Sequence, residues 1–399
     1  MSDQPADDSD PILNIFDPSV AANPQPLWRR LAKELPVGQP VPGMTCISSY
    51  EHVMYALRHP EIFSSEMPQG MIGNARPLIP LQIDPPRQIR YRKLLDPLFS
   101  NKRVSALEPG FRKLAADLID RFVDDGECEF NRDFAIPYPC TVFLELMGLP
   151  QEDLAHFLEI KNAIIRPQGE TVEEVDKVRD DAAAKIYAYF NDFLDMREKN
   201  PRDDLMTRII QTEVGGERLT REEVLDVSYL FIIAGLDTVT ATLGCAVAYL
   251  AQNSEQRQLL IDEPELLESA VEELLRWETP VPQIVRMAKE DIELGGFPIK
   301  AGDMVTLVLG AANLDDALMP NANVVDFRRK PNRHITFGGG NHRCLGSHLA
   351  RQELMIAIEE LHRRIPDYRL KPGESPRYSP AIREVQYLPL VFGKDHAAK

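Results

Sequence analysis

The chain has 399 residues, with 62 acidic against 45 basic side chains and a formal net charge of −17 at pH 7. Such a balance argues against sequence-independent nucleic-acid binding, which draws its affinity from a basic surface that displaces counterions. The length is ample for a large core. The five cysteines (Cys46, Cys128, Cys140, Cys245, Cys344) are scattered, with no Cys-x-x-Cys pair, so they suggest neither a disulfide framework nor a zinc site and fit a reducing cytoplasm.

Residues 1–12 are acidic and polar, without the basic and apolar regions of a signal peptide, and read as a disordered tail ahead of one domain over 13–399. No run of 18 uncharged apolar residues occurs, so no membrane insertion is expected. Helix-like and strand-like pieces broken by proline occupy 23–60, and a loop rich in Pro and Gly follows over 63–83. Asp84-Pro85-Pro86 then reads as a helix start, with Asp84 as cap and proline in the first turn. Helical patterns dominate 100–280, the longest apolar one running from about Glu222 to Ala251. Gly295-Gly296 between two short apolar pieces predicts a hairpin. Residues 313–343 carry little periodicity, a helix fits Leu345 to Arg364, and short strands fit 366–392. With no repeat and no convincing linker, the pattern predicts a mainly α fold with a small strand-rich lobe.

Three clusters carry chemistry. Inside the long apolar helix, Ala234-Gly235-Leu236-Asp237-Thr238 combines a helix-weakening glycine with two polar residues. A threonine can bond back to the preceding turn and open the helix. These residues describe either a bend or a notch where a small ligand and water can sit. Glu273 and Arg276, three apart, share one helix face, as many ordinary surface pairs do. Finally, Phe337-Gly338-Gly339-Gly340-Asn341-His342-Arg343-Cys344-Leu345-Gly346 places a cysteine after three glycines and just before a helix. The glycines let the backbone turn tightly and approach a flat object. A thiolate at a helix N-terminus is favoured by the dipole and by free N–H groups.

The last run resembles the haem-binding signature of the cytochrome P450 superfamily, with Phe337, Gly339, Arg343, Cys344, Gly346 and Ala350 matching it. The chain is similar to the soluble bacterial members of the camphor-hydroxylase-like class from about residue 25 to Phe392. The resemblance implies the P450 fold, with haem b between the long central helix and the cysteine loop. It makes Cys344 the iron ligand, with Phe337, Gly338, His342 and Gly346 beside the haem. A thiolate ligand pushes electron density toward iron and favours O–O cleavage. Asp237 and Thr238 match the acid–alcohol pair: Thr238 would hold the oxygen being cleaved, and Asp237 would relay protons. Gln88, Arg92, Arg286 and His342 match positions that contact haem propionates, with Gln88 standing where many relatives have histidine. Glu273, Arg276 and Arg329 match a structural triad that braces the thiolate loop.

By the same resemblance the substrate pocket is lined by Leu78, Leu81, Leu230, Ile233, Ala234, Val281, Val285 and Ile382. Nearly all are aliphatic, which implies a mid-sized apolar substrate such as a terpenoid or branched lipid. Arg76 either faces solvent or anchors a substrate carboxylate. The implied reaction inserts one atom of O2, with electrons from a ferredoxin and an NAD(P)H-dependent ferredoxin reductase. Arg343, with Arg87 and Arg90, would form the basic patch for an acidic ferredoxin. Two other activities fit a haem-thiolate protein: a peroxide-using enzyme, which often lacks the acid–alcohol pair, and a non-enzymatic haem sensor.

Overall fold

The computed structural model describes residues 20–66, 73–379 and 382–393. The predicted tail over 1–12 and part of the 63–83 loop lie outside the described residues.

In chain order the helices are α1 (Gln25–Glu34), α2 (Tyr50–Arg58), α3 (Arg87–Leu95), α4 (Asn101–Ser105), α5 (Glu108–Ile119), α6 (Pro137–Met147), α7 (Leu154–Ile165) and α8 (Val172–Lys199). They continue with α9 (Leu205–Gln211), α10 (Arg221–Gly235), α11 (Thr238–Gln252), α12 (Ser254–Asp262), α13 (Leu267–Glu278), α14 (Leu309–Ala312) and α15 (Ser347–Arg364). The strands are short: β1 (Val37–Val41), β2 (Met44–Ile47), β3 (Phe63–Ser64), β4 (Glu127–Glu129), β5 (Ile284–Ala288) and β6 (Ile292–Leu294). The rest are β7 (Phe297–Ile299), β8 (Met304–Leu307), β9 (Tyr368–Leu370), β10 (Arg377–Tyr378), β11 (Val385–Tyr387) and β12 (Pro389–Phe392). Five form a mixed sheet in the order β1-β2-β8-β5-β3, and β4-β12-β9 form a smaller antiparallel one. The predicted hairpin is β6–β7, and Gly295 and Gly296 turn it at positive φ, as a two-residue loop requires.

The apolar pattern of 222–251 forms two helices. A capping box between Thr220 and Glu223 starts α10, and Leu236 and Asp237 separate it from α11. Gly235 is needed at the break because a Cβ there would lie 2.5 Å from the Phe143 ring of α6. Thr238 Oγ1 donates to the Ala234 carbonyl at 3.0 Å, bonding back to the preceding turn. The stretch Arg221–Gln252 is apolar enough to span a membrane by length and composition, but 72% of its most apolar window is buried in protein. From Val239 to Ala251 it is the spine of a core shared with α5, α6, α13 and α15.

Asp84 does not cap α3. Pro86 holds the cap position without a side-chain bond, while the Asp84 carboxylate accepts from Ser64 Oγ at 2.6 Å, the Ser65 amide at 2.9 Å and Lys289 Nζ at 2.9 Å. Three donors, one of them charged, outcompete a single helix amide.

Candidate active site

The cysteine loop is built by a chain of bonds reaching back to α13. Asn313 orients it: its side chain accepts from the Ile335 amide at 2.7 Å and donates to Thr336 Oγ1 at 2.9 Å. Thr336 in turn donates to the Leu275 carbonyl at 2.8 Å. The Cys344 amide closes the loop on the Phe337 carbonyl at 2.8 Å. Gly338 and Gly340 take positive φ, and at Gly340 a Cβ would lie 2.2 Å from the Leu57 carbonyl oxygen, so no other residue fits. Cys344 thus sits three residues before α15. Its side chain is accessible, yet it lies deep enough that burial pushes the thiol up; the Gly346 amide and the charges of Arg92, Arg351 and Arg343 pull the other way.

Beneath the loop Glu273 and Arg276 are wholly buried, with Arg276 Nη2 2.7 Å and Nε 2.8 Å from the carboxylate. Arg329 reaches the same carboxylate at 3.1 Å, and the Asn332 amide at 3.0 Å. Arg276 spends its remaining donors on the carbonyls of Asn313, Ala322 and Val324. A buried ion cluster with its donors spent this way ties the loop segments to α13.

The proposed propionate contacts divide into two pairs. Gln88 is buried and donates Nε2 to the Asn341 carbonyl at 2.5 Å, and Arg92 donates Nη1 to the Arg343 carbonyl at 2.8 Å while pairing with Asp96 at 2.7 Å. Both therefore hold the cysteine loop itself. Arg286 and His342 differ. Arg286 is only 7% exposed and donates to the Val285 carbonyl, and burial pulls its pKa down to about 10. His342 Nε2 is buried without a hydrogen-bond partner, and burial, then Arg286, hold its pKa down to about 4. A guanidinium and an imidazole buried together without a hydrogen-bonded carboxylate are costly in a bare protein. They are suited to anionic groups such as the two carboxylates of an iron porphyrin, to which Cys344, two residues after His342, would add a sulfur donor. The residues present fit that group.

On α10 and α11 the notch residues are open although the helices around them are buried: Ala234 is exposed and Ile233 and Thr238 are half-buried. Asp237 is not exposed. Its carboxylate is paired with buried Lys161 of α7 and with Arg166 at 3.2 Å, and Arg166 also lies 2.7 Å from Glu384. Of the expected lining residues, Leu78 is wholly buried, Leu230 nearly so, Val281, Val285 and Ile382 are half-buried, and Leu81 is 44% exposed. Arg76 pairs with the buried Asp226, which leaves no unpaired charge there for a substrate carboxylate. Arg343 is exposed as a docking patch requires, but Arg90 is already paired with Glu217 and Glu223 at 2.6 and 2.8 Å.

Sequence reasoning missed Lys161, Arg166 and Glu384 around Asp237. The one signal was a lysine at an apolar position in Phe157-Leu-Glu-Ile-Lys161-Asn-Ala-Ile-Ile165. It also missed Glu272, whose carboxylate clamps Arg351 of α15 and His334 of the loop at 2.5 and 2.9 Å.

Comparison with known proteins agrees with this geometry. The family model described as cytochrome P450 matches residues 142–377. A probable cytochrome P450 127A1 of Sinorhizobium fredii is 40% identical over 80% of this chain and 74% of that protein. A steroid C26-monooxygenase of Mycobacterium tuberculosis is 34% identical over 92% of each chain. The crystal structure of CYP109E1 from Bacillus megaterium in complex with testosterone superposes with a TM-score of 0.86 at 28% identity, covering 94% of this chain and 99% of that one. With the cysteine loop, its buried brace and the notched helix in one fold, the chain belongs to the cytochrome P450 family and is a haem b-dependent monooxygenase.

Proposed function

We propose that Cys344 is the iron ligand and that the protein inserts one oxygen atom from O2 into a mid-sized, uncharged, largely apolar molecule of terpenoid or sterol type. The observation that carries the reading is the open notch at Ile233, Ala234 and Thr238, in a stretch otherwise mostly buried from Val224 to Ala248, together with an accessible cysteine in the loop before α15. When bound, the haem supplies the redox chemistry of oxygen cleavage. The chain's own residues bind, orient and move protons. Arg286 and His342 take the propionates. Thr238, whose hydroxyl donates its one proton to the Ala234 carbonyl at 3.0 Å, has lone pairs left to accept, and it passes a proton on by letting go of that carbonyl. Asp237 passes protons to it by giving up one of the two cations that saturate its oxygens.

Aliphatic side chains at 230, 233, 281, 285 and 382, which keep some open surface as Leu78 does not, suit a ligand bound by burial, at about 25 cal/mol per Å² of apolar surface. The similar steroid C26-monooxygenase and the testosterone-bound structure support a rigid, polycyclic substrate of this size. Electrons come from a ferredoxin and its reductase, with Arg343 at the centre of the docking face. The five free cysteines fit a reducing cytoplasm. The test is product formed with NADH, ferredoxin and reductase against product formed with peroxide alone. Turnover confined to the peroxide arm would overturn the oxygenase reading.

A further inference from the structure

Asp226 lies on α10 one turn before Leu230 and two turns before Ala234, so all three share one helix face. Two turns span about 12 Å at a rise of about 1.5 Å per residue. The carboxylate is therefore at the far end of the stripe that opens at the notch. It is buried, its side chain 5% exposed, and it holds Arg76 with Nε at 2.9 and 3.1 Å from its two oxygens. Tyr187 of α8 donates its hydroxyl to the same carboxylate at 3.2 Å, and the Arg76 guanidinium lies 5.2 Å from the Tyr187 ring centroid. Arg76 comes from the segment that carries Leu78, two residues on. Gly73, three residues before Arg76, packs so tightly on α8 that a Cβ would lie 2.8 Å from the Arg179 carbonyl oxygen.

We propose that Asp226 is a specificity-determining residue: an internal carboxylate that occupies Arg76 and so excludes fatty acids and other long-chain carboxylates from the pocket. The inference rests on the pocket reading given above and deepens it, because it states why the substrate is uncharged. A bidentate guanidinium–carboxylate contact is the arrangement by which an arginine would also recognise a substrate acid. Here the protein supplies that acid itself. A substrate carboxylate entering near Arg76 meets a neutralised pair and the negative charge of Asp226, and it loses its hydration without gaining a free cation. A neutral molecule of the same length pays neither cost. The eight residue steps of α10 from Asp226 to Ala234, about 12 Å of helix, match a molecule anchored at one end and oxidised well down its chain, so removing the internal competitor should convert the site to long-chain acids.

The experiment compares tetradecanoic acid with tetradecan-1-ol, which share a chain and differ in head group. Each is titrated against the haem-loaded wild type, Asp226→Asn, Asp226→Leu and Asp226→Asn/Arg76→Ala. Binding is read by calorimetry and by the spin-state change of the haem. Asn keeps the shape and removes the charge; Leu removes the acceptor as well. Arg76 keeps a side chain 40% exposed, so it can be hydrated when freed, and neither variant strands a buried cation. The expected result is an acid affinity about tenfold tighter or more in Asp226→Asn and Asp226→Leu, with the alcohol within about twofold of wild type and the acid's gain lost in the double variant. Acid binding unchanged in both single variants, or acid and alcohol tightening together, would overturn the role of Asp226. If the alcohol binds neither wild type nor variants, the apolar pocket itself is wrong and this inference falls with it.

Discussion

Replacing Glu272 with glutamine tests how the thiolate loop is held. Glu272 accepts from Arg351 Nε at 2.5 Å and Nη2 at 2.9 Å, and faces His334 Nε2 at 2.9 Å. Arg351 in turn covers the Phe337 ring, 4.4 Å from its centroid. One carboxylate therefore ties α13, α15 and the approach to Cys344. Burial pushes the Glu272 carboxyl up, but Arg351 and His334 outweigh it and hold the group at about 2, against 4.5 for an unperturbed glutamate. At about 1.36 kcal/mol per pKa unit that depression corresponds to about 3 kcal/mol, and solvent screening trims it to about 2 kcal/mol. Because the folded pKa is the lower one, the contribution is complete above about pH 4.5 and is lost as pH falls from 4.5 toward 2. The Glu272→Gln protein should therefore melt about 2–3 °C below wild type at pH 7, given an unfolding entropy of about 2 cal/mol/K per residue. The gap should persist at pH 6 and 5 and narrow at pH 4 and 3. Differential scanning calorimetry at these five pH values, with haem content measured in parallel, is the assay. A melting point equal to wild type at pH 7, or a gap that widens in acid, would refute the clamp.

Glu273→Ala or Arg276→Ala, each stranding a buried charge, should cost about 3–5 kcal/mol and yield apoprotein or aggregate; wild-type haem content in both would mean that the cluster does not brace the loop. Thr238→Ala should bind substrate normally but divert electrons to peroxide or water, and Asp237→Asn should slow turnover with little change in binding. Unchanged product per NADH in both variants would remove the proton-delivery roles. Reduction by an acidic ferredoxin should slow as salt rises, and more weakly in Arg343→Ala; a rate insensitive to salt at low ionic strength would count against an electrostatic dock.

What the sequence disclosed depended on how far apart the interacting residues are. The cysteine loop, the Gly-Asp-Thr notch and the Glu-x-x-Arg spacing are local, so glycine placement and helical periodicity expose them in a single stretch. The structure adds bonds between distant residues at each of these places. Asp237 owes its setting to Lys161 and Arg166, from a different helix and the turn after it. Arg76, which in sequence could face solvent or substrate, is claimed by Asp226 150 residues away. Gln88 and Arg92 match haem-contact positions in a local motif, and the structure adds to each a distant partner that the motif does not reveal, the carbonyls of Asn341 and Arg343. Asp84 failed as a cap for the same reason: Asp-Pro-Pro is a local helix-start signal, and Ser64 and Lys289 are distant competitors that no local pattern reveals. The long apolar run is a further case. Its period showed helix throughout, while its division in two depends on Phe143 pressing against Gly235.

The central claim is that Cys344 holds the iron. The most direct measurement is the CO spectrum of the ferrous protein, taken for wild type, Cys344→His and the four variants Cys46→Ser, Cys128→Ser, Cys140→Ser and Cys245→Ser. Wild type and the four serine variants should show the red-shifted Soret band of a thiolate-ligated haem, and Cys344→His should retain haem but lose that band. Persistence of the band in Cys344→His, or its loss in one of the other four with haem retained, would contradict the account.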